Sequence, residues 1–85
     1  MINVIEKKIL PEYYTAVANG RKTFEVRKED DCRYNVGDLL ILNLYSDGHY
    51  VEGESIICKI TYVLRDIDGI ESGYAVVGIE QLQPY

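Results

Sequence analysis

Residues 10–28, LPEYYTAVANGRKTFEVRK, decide how the chain folds. Leu10-Pro11-Glu12 reads as a helix start. Proline suits the first helical position, where its missing N–H costs nothing, and Glu12 lies at the positive end of the helix dipole. Leu10, Tyr14, Val17 and Ala18 recur at helical spacing and form the expected inner stripe. Asn19-Gly20 closes the helix, because glycine adopts the left-handed conformation that ends helices. From Thr23 to Lys28 the period changes to two, which is a strand. The alternation predicts Phe24 and Val26 inward, with Thr23, Glu25 and Arg27 outward. A short helix therefore turns through a glycine into a strand with a charged face.

Working outward, residues 2–9 (INVIEKKI) read as a short strand at a sheet edge. Glu29–Asn35 is a polar loop, and Val36-Gly37-Asp38 is a tight turn feeding LLILNLY, a strand apolar on both faces. Ser46-Asp47-Gly48-His49 is a hairpin turn, with Tyr50-Val51 beginning the return. Ser55–Leu64 is the longest strand candidate, with Ile56, Cys58, Ile60 and Tyr62 on one parity. Asp66–Gly73 is an acidic, glycine-containing loop, and Tyr74–Leu82 is the last strand. One helix and five or so strands, mostly at hairpin spacing, predict a mainly β (α+β) fold. The expected architecture is a small closed or nearly closed β-barrel of five to six strands with one N-terminal helix.

Eighty-five residues make one domain, 1–85. Such a chain buries only about 60–65% of its unfolded surface, so every strand contributes to a small core. No apolar run approaches the ~20 residues of a membrane span, and the first residues lack the layout of a signal peptide. A cytoplasmic protein is expected. Two cysteines and one histidine support neither a disulfide scaffold nor a zinc site, and no cofactor is expected. Cys58 reads as a small buried core residue. The net charge is −5, the wrong sign for gripping duplex DNA by its backbone. The charge is uneven, however. Gly20–Val36 holds five basic and four acidic residues, a net +1, so the rest of the chain carries −6.

The positive region is built from few residues. Lys22 lies at the turn after the helix, and Glu25 and Arg27 follow on the next strand. Same-face neighbours on a strand are about 6.5–7 Å apart, within reach of long side chains. Two cations around a carboxylate, beside Thr23, suit a ligand with donor and acceptor edges such as a nucleobase or nucleotide phosphate. Set against this, alternating charges on a strand often serve only solubility, and exposed ion pairs contribute about 0–1 kcal/mol. Tyr34 and Tyr45 flank the polar loop and are candidates to stack on unpaired bases, although tyrosines in a tryptophan-free chain more often pack in the core.

Gly20-Arg21-Lys22-Thr23-Phe24-Glu25-Val26-Arg27 resembles the G-x-K-x-x-E-x-R signature of the ASCH domain, a member of the PUA-like superfamily of small β-barrels. KILPEYY, KTFEVRK, the Val36–Leu40 turn and strand, ITYVL and GYAVVGIE resemble a bacterial and phage subgroup of small ASCH-like proteins of unknown function. The resemblance implies a PUA-like barrel with Lys22, Glu25 and Arg27 lining a cleft between barrel and helix, where RNA or a nucleoside-like ligand binds. The expected ligand-binding set is Gly20, Lys22, Thr23, Glu25, Arg27, Tyr34 and Tyr45, and the expected partner is single-stranded RNA or a nucleotide-like molecule. Some small ASCH relatives are amidohydrolases acting on acylated cytidine through a threonine, a lysine and an acidic residue. Lys22 matches their lysine, but Glu25 holds the threonine position. Only Asp66, Asp68 and Glu71 are available as acidic helpers. Binding is therefore expected rather than hydrolysis, with a protein-interaction domain as a further alternative.

Overall fold

Leu10 begins the helix in an extended conformation (φ −79°, ψ 156°), and no side chain caps it. The missing N–H of Pro11 and the first-turn acid Glu12 are what favour this start. The computed structural model describes residues 1–82. The elements run β1 (Val4–Ile9), α1 (Pro11–Ala18), β2 (Phe24–Lys28), β3 (Leu39–Ser46), β4 (His49–Leu64) and β5 (Tyr74–Gln81). Helix α1 ends at Asn19, as the sequence predicts, and Gly20 follows at φ +82°. Of the expected inner stripe, Val17 is buried and Tyr14 packs on the core, whereas Leu10 and Ala18 are exposed.

The five strands form one curled sheet in the order β1-β3-β4-β5-β2, a half-barrel. β1 runs parallel to β3, and every other neighbouring pair is antiparallel. The predicted return strand and longest strand are one continuous element, β4. It leaves the Asp47-Gly48 turn, where both residues take positive φ, and deviates from regular pairing near Gly53. The core fills the concave side with Leu40, Leu42, Ile56, Cys58, Ile60 and Val77. A bulge at Thr61 reverses the facing of β4, so Tyr62, expected to share the Cys58 face, is exposed. Cys58 is fully buried as read, and burial, with a smaller contribution from nearby Glu25, pushes its thiol up to about 11.

Two further readings are overturned. Phe24 and Val26 point outward, 44% and 56% exposed, while Glu25 is only 4% exposed on the inner face. The cause is pairing: Glu25 and Arg27 lie opposite Val77 and Ala75 of β5, both fully buried, and opposed residues share a face. Alternation along β2 was legible; its absolute direction was set by β5. Tyr34, expected to be an exposed stacking residue, is completely buried. Its loop is pinned from both sides, because Glu29 accepts the Tyr34 N–H (2.9 Å) and Arg65 donates to the Tyr34 carbonyl (2.8 Å). The ring thus plugs the core.

The barrel stays open. β1 and β2 are the edges of the sheet, and no backbone ladder joins them. No helix among the described residues is long and apolar enough to cross a membrane.

Candidate functional site

The seam between the two edge strands is where the signature residues meet. After Gly20 the chain folds back on the helix end, with the Arg21 and Lys22 N–H groups both donating to the Ala16 carbonyl (3.0 and 2.9 Å). That wrap is what brings Lys22 over β2. Its ammonium donates to one oxygen of the Glu25 carboxylate and to the Phe24 carbonyl (2.6 Å). Arg27 donates to the other Glu25 oxygen through Nε (3.0 Å), and its Nη2 lies in ion-pair contact with the same oxygen (2.7 Å). Arg27 Nη2 also donates to the Lys8 carbonyl on β1 (3.0 Å). One buried carboxylate therefore holds a cation on each oxygen, and one of those cations bridges the open seam.

Strand pairing explains why these carbonyls are available. The Ile79 N–H donates to the Thr23 carbonyl and the Glu29 N–H to the Gly73 carbonyl. Thr23, Glu25, Arg27 and Glu29 thus aim their backbone groups at β5, and Phe24, Val26 and Lys28 aim theirs at the free edge. On β1 the Asn3 carbonyl accepts from the Leu39 N–H, which places the Val4, Glu6 and Lys8 groups at the opposite free edge. Lys22 and Arg27 each cap one such edge carbonyl, one on either side of the seam.

A cleft of about 530 Å³ opens here between the end of β1, the start of α1 and β2. Lys8 and Leu10 form one wall, Phe24 and Val26 the other, and Lys22, Glu25 and Arg27 reach it from the inner face. Lys22 Nζ lies 4.9 Å from the Phe24 ring centroid and 5.6 Å from that of Tyr13, close enough for cation–π attraction. Both rings are largely exposed. The arrangement offers flat aromatic surface beside positive charge in a partly desolvated recess.

Of the seven residues expected to bind, the structure brings together Lys22, Glu25 and Arg27. Gly20 serves them by supplying the positive-φ turn. Thr23 is exposed and does not line the cleft. Tyr34 is in the core, and Tyr45 lies at the β3–β4 hairpin. There the Tyr45 hydroxyl donates to the Gly48 carbonyl (2.9 Å), its ring meets Tyr50 edge-on, and Lys8 Nζ lies 4.4 Å from its centroid. Tyr13, Phe24 and Lys8 belong to the site and were not expected there. Tyr13 falls off the predicted inner stripe of α1, a signal that it faces outward; Lys8 carried none, since the sequence does not say which strand edges stay open.

A second recess of about 600 Å³ lies between β1 and the irregular start of β4, lined by Glu6, Glu52 and Glu54 among others. Several of its polar groups are paired: Asn43 donates to Glu6 (3.0 Å), Ser55 donates to Asn43 (2.6 Å), and Glu54 accepts from the Tyr14 hydroxyl (3.0 Å). The seam cleft, with charged groups gathered around its mouth, is the stronger candidate.

No curated protein matches the chain. Residues 4–79, from the first residue of β1 to the body of β5, match the model of a family described as a domain of unknown function, DUF3850. The match takes in every element of the half-barrel and all the residues that converge at the seam, and the chain therefore belongs to the DUF3850 family.

Proposed function

We propose that this chain is a binding module for single-stranded RNA or a nucleotide, held in the seam cleft between β1 and β2. One observation carries the reading: Lys22 and Arg27, anchored on a buried carboxylate, reach a cleft beside two exposed aromatic rings. Bases present a flat π-face to such rings whatever their sequence, and cations complement the phosphates between them. The likeness of Gly20–Arg27 to the ASCH signature points the same way, as does the net positive charge of the Gly20–Val36 stretch that supplies Lys22 and Arg27. A cytoplasmic location fits these ligands. Hydrolysis of an acylated nucleoside has weaker support, because Glu25 stands where a nucleophile is needed and both its oxygens are engaged by cations.

Titration of short single-stranded RNAs and common nucleotides at low salt tests the proposal. Phe24→Ala removes an exposed ring without opening the core. It is expected to weaken binding by about tenfold, since stacking on an aromatic contributes roughly 1–3 kcal/mol per base. Lys28→Ala, on an exposed side chain outside the cleft, is expected to change affinity less than twofold. No binding to any member of the panel, or equal losses for the two variants, would reject the reading.

A further inference from the structure

The hydrogen-bonding capacity left over at the seam is lopsided, and this says which bases the cleft selects. Among the described residues, Glu25 is the only carboxylate lining the cleft. Its Oε1 accepts from Arg27 Nε and lies 2.7 Å from Nη2, its Oε2 accepts from Lys22, and it is 4% exposed. The Lys8 and Phe24 carbonyls are also taken, by Arg27 and Lys22. Among the described residues, therefore, the acceptors contributed by the charged cluster and its capped edge carbonyls are engaged. Donors remain. Arg27 Nε donates to Glu25, and Nη2 donates to Lys8 while lying 2.7 Å from Glu25 Oε1, which leaves both Nη1 protons without a partner among the described residues. Lys22 carries three protons and uses two. Val26 adds one edge N–H and one edge C=O and the Tyr13 hydroxyl one donor and one acceptor, which balance, while the edge N–H groups of Phe24 and Lys8 add to the donors. The net surplus is cationic N–H.

We infer that the cleft selects bases by their acceptor atoms, taking guanine over adenine and uracil over cytosine. This rests on the nucleotide-binding reading and sharpens it. Guanine presents two acceptors, O6 and N7, on the edge where adenine replaces O6 by an amino group, so the spare protons of Arg27 Nη1 and Lys22 meet acceptors on guanine and a donor on adenine. Uracil and cytosine differ in the same way at position 4. An amino group facing Arg27 Nη1 meets donor against donor and loses its water without replacement. A phosphate oxygen would also satisfy these donors, so the source of the acceptor must be tested directly.

The decisive measurement is a binding panel of the four nucleosides, the four nucleoside monophosphates and inorganic phosphate against the wild-type protein. Guanosine over adenosine and uridine over cytidine are each expected by about tenfold or more, with inorganic phosphate failing to displace guanosine. Nucleosides that bind without these preferences would overturn the inference while leaving the nucleotide-binding proposal standing. Binding confined to phosphate-bearing ligands and competed by inorganic phosphate would also overturn it, assigning the donors to phosphate. Absence of binding by the whole panel, with short RNAs failing too, would remove the parent proposal and this one together. Lys22→Gln adds a side-chain oxygen to the cleft and is expected to shrink the guanosine-to-adenosine ratio by raising adenosine affinity. An unchanged ratio in a folded variant would count against donor surplus as the cause. Should that variant fail to fold, the wild-type ratios alone decide.

Discussion

Glu25 is a buried carboxylate whose two oxygens each hold a cation, and the cations themselves remain about one-fifth exposed. Removing one partner of such a cluster is far costlier than the cluster is worth, because the remaining charges lose their partner but not their burial. Glu25→Ala leaves Lys22 and Arg27 facing each other and is expected to cost about 3 kcal/mol, near the lower end for buried pairs because of that exposure. For a domain of this size the melting temperature then falls by roughly 12–24 °C. Thermal unfolding of the variant measures this directly. A loss under 1 kcal/mol would mean that Glu25 is only a surface charge.

At the scale of elements, two ion pairs hold the loop between β2 and β3, Glu29–Arg65 and the more exposed Asp31–Lys7. Arg65, just beyond β4, donates to both oxygens of Glu29 at 2.8 Å, and the Tyr34 N–H adds a third hydrogen bond. The Arg65 hydrogen bonds hold the Glu29 carboxyl below its ordinary value of 4.5, although burial opposes them. A carboxyl depressed in the folded state stabilises fully above its unfolded value, and that contribution is lost as pH falls through the folded value. Asp31, depressed through its hydrogen bonds with Lys7, behaves with the same sign. Wild-type stability is therefore expected to drop below about pH 4.5. Glu29→Gln should be less stable at pH 7 and should lose stability less steeply on acidification. Melting curves from pH 7 to pH 3 compare the two; parallel acid limbs would show that the loop is held by something other than this pair.

Across the whole molecule, charge limits what the seam can bind. The chain carries −5, and among the described residues Lys22 and Arg27, which share the Glu25 carboxylate, bring positive charge to the cleft, while the Lys8 ammonium rests over the Tyr45 ring. With at most one or two phosphates neutralised, the slope of log affinity against log salt for single-stranded RNA is expected near −0.7 to −1.4. Duplex DNA, which needs a broad basic face, should bind at least tenfold more weakly at equal salt. Titrations between 50 and 200 mM salt are about the range in which such slopes are read. A much steeper slope, or a preference for duplex, would place binding on a surface other than the seam.

The sequence by itself determined the local punctuation of the fold. Pro11 and Gly20 bounded the helix, Asp47-Gly48 turned the hairpin, and the period-two stretches became strands, because propensity, φ and side-chain alternation act over a few residues. The grouping of Lys22, Glu25 and Arg27 was legible for the same reason, since their spacing alone puts them within reach of one another. Only the tertiary structure decided which way they face. Alternation relates Glu25 to Val26 but not to the core, and it was pairing with Val77 and Ala75 on β5 that turned the charges inward and Phe24 outward. Tyr34 was legible only as part of a polar loop until Arg65 and Glu29, 36 residues apart, pulled that loop across the core. The seam itself is a property of strand order: β1 and β2 are left as edges by where each strand pairs, which no local stretch encodes.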